Sequence, residues 1–295
     1  MSSATLTGRS FDTGTVTLNY VADGPEYARP LVLLHGGSAR WQSFADLIPA
    51  LAATRRVYAL DLRGHGCSGW VPGHYRLRDY AADLAAFLQG CVGRPAALFG
   101  HSLGGQVALF AAAEYPHLVR AAINGDSPLD VTVLRRHLVQ DRPRTARWRD
   151  LAGHDRSVAA IAAALRDVPT RMPGRGGLVR TADWLGEDNP WFDTMAESLH
   201  HLDPDMLTAV VEQFDEMHAG YDLETLLPRL ACPVLLLQGD PDEGGMLTDA
   251  EVGRAREFLP TMAHVRFSGI GHGLHLGQPE PVLRAVLDFL AERGV

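Results

Sequence analysis

The sequence predicts an α/β protein: a mostly parallel sheet, helices on both of its faces, and a helical insertion over one end. Three observations predict it. Six short apolar runs recur along the chain. Helical patterns lie between most of them, the alternation that produces parallel strands joined by crossover helices. One connection of roughly a hundred residues, from about Leu129 to Pro228, breaks that rhythm and is far longer than an ordinary α/β connection.

Thr15–Val21, "TVTLNYV", alternates apolar and polar residues, so it reads as an antiparallel strand near a sheet edge. The runs Leu31–Leu34, Val57–Leu60, Ala96–Phe99, Val119–Ile123, Val234–Leu237 and Val265–Phe267 are short and mainly apolar, and they read as strands buried on both faces. Helical patterns cover Phe44–Ala53, Leu77–Leu88, Leu103–Glu114, Ala250–Phe258 and Pro281–Glu292. Within the long connection, helical patterns cover Ser157–Leu165, Thr194–His201 and Asp205–Met217, with a loop "RDVPTRMPGRGG" and no strand pattern. The expected division is a core of residues 1–128 and 229–295 and a helical cap of residues 129–228. Tryptophans and apolar helix faces in the cap argue against a disordered linker.

Composition narrows the function. With 295 residues, 46% of them hydrophobic, the chain buries a sizeable core. A net charge of −8 argues against nucleic acid or an anionic membrane as the main partner. All 27 basic residues are arginine, a compositional bias rather than a phosphate-binding device. Cys67, Cys91 and Cys232 are scattered and form no C-x-x-C, so no disulfide frame or zinc site is expected. The first residues, "MSSATLTGRSFDTG", lack the basic start and apolar stretch of a secretory signal. No apolar run reaches the ~20 residues of a membrane span. The expectation is a cytoplasmic protein with a small-molecule partner, with homo-oligomerisation left open.

Sites in open α/β sheets form at the carboxyl ends of the strands. Every loop there is rich in glycine: "HGGS" from His35, "DLRGHGCSG" from Asp61, "GHSLGG" from Gly100, "NGDSPLD" from Asn124, "QGDPDEGG" from Gln238 and "SGIGHGLH" from Ser268. Ser102 lies in a Gly-x-Ser-x-Gly pattern with an apolar strand before it and a helix after it. That context predicts a tight turn exposing the hydroxyl at the positive end of the helix. The N–H of Leu103 faces the same space, and the glycine-rich loop after Leu34 offers a second donor, Gly37 or alternatively Ser38, for an oxyanion. His35 reads as a packed residue that fixes this loop. "DLRGHGCSG" lacks the spacing and lysine of a phosphate loop, so Asp61, Arg63 and Ser68 are expected to tie neighbouring loops together.

The ordered series "LVLLHGGS", "DLRGHGCSG", "GHSLGG", "PVLLLQGD" and "GHGLHLGQPEPVLRAVLDFL" resembles the α/β-hydrolase superfamily, in its capped, serine-nucleophile, esterase- or lactonase-like branch. The resemblance covers nearly all of the chain outside the insertion. It implies eight strands, a Ser–acid–His triad in that chain order, and a cap after the sixth strand. His272, between the last strand and the final helix, matches the family's terminal histidine and is the expected base. His275 reads as a substrate contact or a surface residue, and His264 as structural. For the acid the resemblance leaves two residues. Asp242 matches the usual Gly-x-x-Asp after the seventh strand, but its continuation "EGGMLTD" departs from the pattern. Asp126 stands after the sixth strand, where a minority of the family carries the acid, and is placed slightly ahead.

The cap supplies the pocket. Trp184, Trp191, Phe192 and Met217 are its expected wall, with Trp41 after the oxyanion loop and His101 beside the serine. The expected activity is cleavage of a carboxylic ester or lactone of a medium-sized, partly apolar small molecule, with no metal or organic cofactor. The same site also suits C–C hydrolysis, perhydrolysis or acyl transfer, since fold alone does not separate these chemistries. A non-enzymatic ligand receptor is the third reading.

Overall fold

A computed structural model describes residues 6–172 and 177–295. Residues 173–176, inside the expected "RDVPTRMPGRGG" loop, and residues 1–5 lie outside it. Among the described residues there are ten strands: β1 (Arg9–Asp12), β2 (Thr17–Asp23), β3 (Pro30–Leu34), β4 (Arg56–Leu60), β5 (Ala96–His101), β6 (Val119–Gly125), β7 (Pro169–Arg171), β8 (Leu178–Arg180), β9 (Val234–Gln238) and β10 (Ala263–Arg266). Eight form one sheet in the order β1-β2-β4-β3-β5-β6-β9-β10, and β7 pairs with β8 as a separate antiparallel ribbon. β2 is antiparallel to both β1 and β4, and the strands from β4 through β10 run parallel in that sheet.

The uninterrupted apolar runs follow from burial on both faces. Val32 and Leu34 of β3, with Val234 and Leu236 of β9, face one core that also takes Leu84 and Val107. The intervening Leu31, Leu33, Leu235 and Leu237 face the other core, against Ile48, Val282 and Val286. The helices Leu77–Phe87, Leu103–Glu114 and Asp249–Phe258 thus cover one face, and Ile48–Ala52 and Pro279–Glu292 the other.

Four elements differ from expectation. β1 has the sequence "RSFD", short and mostly exposed, so it carries no alternation; Phe11 alone anchors it, edge-on to Phe87 at 5.5 Å. The helix Val131–Leu151 carries Pro143 in its interior, normally a helix stop, and so lies outside the expected helices. The ribbon β7–β8 occupies part of the connection where no strand is expected, its three-residue strands being too short for periodicity. The expected Asp205–Met217 helix breaks at Gln213 into Pro204–Glu212 and Phe214–Met217.

Register fixes what the sheet presents. Leu34 pairs with Gly100, Gly100 with Asn124, and Asn124 with Leu236, so four parallel strands end level with one another. The residues just beyond them, His35–Ser38, Ser102, Asp126 and Gly239, are therefore neighbours at one edge. Among the described residues, no helix is long and apolar enough to cross a membrane.

Candidate active site

Ser102 sits between β5 and the twelve-residue helix Leu103–Glu114, with φ 53° and ψ −120°. That turn needs its flanking glycines. A Cβ on Gly100 would lie 2.0 Å from the Gly104 carbonyl oxygen, and one on Gly104 would lie 2.0 Å from the Leu34 oxygen. Backbone therefore packs directly on backbone, and the helix starts at the level of the sheet edge. Ser102 N–H donates to Gly125 O at 3.0 Å, tying the turn to β6. The first N–H groups of a helix have no intrahelical acceptor, so Leu103 N–H is free to meet a ligand.

The loop after β3 presses against this turn: a Cβ on Gly36 would lie 3.1 Å from Ser102 Cβ and 2.9 Å from His101 Nδ1. Among the described residues, the three non-glycine residues with positive φ are Ser38 (60°), Ser102 (53°) and Asp126 (54°). All three lie at the ends of adjacent strands. Such conformations are costly outside glycine and concentrate where geometry is dictated by a site.

Asp126 is fully buried, and its Oδ2 lies 2.8 Å from His272 Nδ1. Three backbone groups from the loop after β9 also donate to the same carboxylate: Gly239 N–H at 2.8 Å, Met246 N–H at 2.8 Å and Leu247 N–H at 3.3 Å. Asp242, the other acid the sequence offers, is exposed, and its N–H donates to Asp240 Oδ1. The structure does not bring it to His272. The reason is local: Asp240 caps its own 3₁₀ turn, Pro241–Glu243, and directs that turn outward.

His101 Nε2–H donates to the His272 carbonyl at 2.7 Å, so the residue before the serine holds the loop of the expected base. Burial pushes its imidazole well below the usual range. His275 is buried rather than on the surface, stacked on Phe44 at 4.7 Å, and burial pushes it down to about 3. His35 donates from Nδ1 to Gly36 O and accepts Leu62 N–H at Nε2, so it braces the loop after β3, and burial lowers it to about 4. Asp61 accepts from Trp41 N–H and Cys67 N–H, and Arg63 pairs with Asp83 at 2.6 Å, both wholly inside the protein. These are ties between loops, with no phosphate cradle.

A cavity of about 600 Å³ opens over Ser102 and His272, walled by the strand-end loops and by helices of the segment between β6 and β9. Trp184, Trp191, Met217 and His101 line it, as do Gly37, Ser38 and Leu103. Trp41 and Phe192 do not. Trp41, half-buried, packs against the core on one face of the sheet, and Phe192 is fully buried among helices between β6 and β9, edge-on to Trp191 at 5.5 Å. Neighbouring positions on a helix point about 100° apart, so the pair Trp191–Phe192 divides between cavity and core. Gln106, His137, Met206 and His218 also line the cavity and were not anticipated. Gln106 alone carries a sequence signal, standing one helical turn after Ser102 on the same face. Among the described residues, no group of three His, Cys, Asp or Glu side chains is placed to hold a metal ion.

Comparison with known proteins agrees with this architecture. The sequence is 27% identical over 294 residues to 2-(acetamidomethylene)succinate hydrolase of Mesorhizobium japonicum, covering 96% of this chain and 94% of that protein. It is 30% identical over 281 residues to the magnesium-chelatase 30 kDa subunit of Rhodobacter capsulatus, covering 91% and 88%. The crystal structure of E-2-(acetamidomethylene)succinate hydrolase superposes with a TM-score of 0.75 at 23% identity, over 97% of this chain and 99% of that one. The sequence model of the alpha/beta hydrolase fold matches residues 29–279, and the chain belongs to that family.

Proposed function

We propose that the protein is a serine hydrolase that cleaves a carboxylic ester or lactone of a medium-sized, partly apolar small molecule. Ser102 Oγ attacks the carbonyl carbon and His272 Nε2 takes its proton. Asp126 holds the imidazole with Nδ1 protonated and stabilises the imidazolium that forms. The N–H groups of Leu103 and Gly37, with Ser38 N–H as the alternative to Gly37, receive the oxyanion; losing one such donor typically costs about 3–4 kcal/mol in the transition state. His272 returns the proton to the leaving oxygen, and water, activated by the same imidazole, releases the acyl group from Ser102. On this reading residues 1–128 and 229–295 are the catalytic core, and residues 129–228 are a cap that selects the substrate.

The observation that carries the reading is the 2.8 Å contact of His272 Nδ1 with a buried carboxylate, beside a serine held at positive φ. A fluorophosphonate probe followed by mass spectrometry tests it, together with a panel of p-nitrophenyl esters and lactones. Labelling at Ser102 and turnover abolished in Ser102→Ala are the expected results. An unlabelled Ser102 in folded protein overturns the reading. That outcome would favour a second one, a binding or subunit role, for which the 30% identical relative bearing a magnesium-chelatase subunit name is the supporting observation.

A further inference from the structure

Many polar side chains along the cavity are already engaged within the protein. Thr181 Oγ1 donates to Val168 O, Asn189 bonds at both ends of its amide, and Arg144 pairs with Asp141. Ser43 Oγ, Trp148 Nε1 and both ring nitrogens of His275, which also line the cavity, are buried without a partner among the described residues, whereas Gln106 and His218 keep free polar atoms that are not sealed off. Gln106 is 3% exposed and lines the cavity, and among the described residues its only hydrogen bond besides those within the helix is from its backbone N–H to Ser102 O. His218 is 5% exposed and uses only one ring nitrogen: Nδ1 lies 2.9 Å from the Phe214 carbonyl oxygen. A carbonyl only accepts, so Nδ1 carries the proton and Nε2 presents a lone pair. The ring stacks on Phe214 at 4.3 Å, which fixes its direction. Burial lowers this imidazole to about 4, with Arg135 adding to the effect and Asp215 opposing it, so the lone pair persists at neutral pH.

The fold sets these two groups on the serine's side of the cavity. Ser102, Gln106 and Phe110 follow at four-residue spacing, one face of one helix. The chain just after His218 lies on that face: a Cβ on Gly220 would be 3.7 Å from Phe110, and Tyr221 OH donates to Pro128 O at 3.0 Å. An acceptor, on His218, and a free amide, on Gln106 one helical turn after Ser102, thus border the same cavity. One hydroxyl can donate to a free acceptor and accept from a free amide, so a single group satisfies both.

We infer that the cavity recognises a hydroxyl group on the substrate. The hydroxyl donates to His218 Nε2, and its oxygen accepts from the Gln106 amide. This rests on the hydrolase reading and narrows it to esters or lactones that carry a free hydroxyl. An ether or alkyl group in the same place leaves the Nε2 lone pair unmet.

Arylboronic acids, which add to a reactive serine, test it through competition with fluorophosphonate labelling. The set is phenylboronic acid with its 2-, 3- and 4-hydroxy and matching methoxy derivatives. At least one hydroxy compound is expected to protect Ser102 at a roughly tenfold lower concentration than its methoxy partner, the worth of one hydrogen bond of about 1.4 kcal/mol. His218→Phe brings that ratio close to one, and His218→Gln, which keeps an acceptor, restores part of it. Gln106→Leu lowers the same ratio and serves if His218→Phe does not fold. A merely structural role for His218 would weaken both compounds alike and leave the ratio unchanged. No hydroxy advantage in any isomer, or one that survives His218→Phe, overturns the inference. If Ser102 is never labelled, the hydrolase reading falls first and takes the inference with it.

Discussion

Two strand ends, those of β6 and β9, each deliver an aspartate to the same edge of the sheet, and they use it in opposite ways. Asp126, just past β6, is fully buried at positive φ and gathers His272 and three backbone N–H groups. Past β9, Asp240 caps its own turn and accepts Gly269 N–H, whose donation with that of Asp242 holds its carboxyl below the usual range, while Asp242 faces solvent. The β9 loop therefore contributes its backbone to the site, and the β6 loop its side chain. Spacing along the chain does not distinguish the two; the direction of the backbone as it leaves the strand does.

The largest expected effect tests this directly. Asp126→Asn should lower kcat on a p-nitrophenyl ester by about 10³- to 10⁴-fold, since an amide favours the wrong imidazole tautomer and meets three N–H donors with its own. A larger loss in Asp242→Asn than in Asp126→Asn would reverse the assignment. Gly239→Ala comes next. Its Cβ would stand 2.7 Å from Gly271 O and 3.2 Å from Asp126 Oδ2, so the acid and the base loop must both shift. A displacement of this order is expected to cost roughly ten- to a hundredfold in kcat, with the circular dichroism spectrum unchanged. Asp240→Ala removes the turn's cap and should lower Tm measurably in a melting experiment while kcat stays within about threefold. The smallest effect belongs to Asp242→Asn, within about twofold in kcat and without a shift in Tm, as for exposed substitutions that touch nothing.

The parts of the molecule legible in the sequence are those where burial or backbone contact leaves few choices. Val32–Leu34 and Val234–Leu237 must be apolar at every position because both faces of the sheet are covered. Gly100 and Gly104 must be glycine because carbonyl oxygens occupy the space of their Cβ atoms. The residues that resist reading are those where one sequence suits two geometries. Phe192 and Trp191 are both aromatic, and only the packing of the helix Trp191–His200 decides which one meets the cavity. Trp41 follows the glycine-rich loop after β3, yet its N–H donates to Asp61 and its half-buried indole packs against the core. Pro143 reads as a stop, but the helix passes through it with the proline exposed. His218 gives no sequence sign at all, because its importance comes from which nitrogen its neighbour's carbonyl claims.

The histidines held inside the protein have a consequence for proton binding. Burial lowers His35 and His218 to about 4 and His65 and His275 to about 3, against 6.5 in an unfolded chain. Above pH 6.5 neither state binds these protons, and the fold keeps its full stability. As the pH falls below 6.5 the unfolded chain takes them up and the folded one does not, until the folded values near 4 and 3 are reached. Each such histidine then weakens the fold by roughly 1.4 kcal/mol per pH unit. A series of melting curves between pH 7 and pH 4 reads the slope, and a flat series would mean that these imidazoles are open to water. The imidazoles that shape the sheet edge thus set an acid limit on the protein, one that alkaline conditions do not impose.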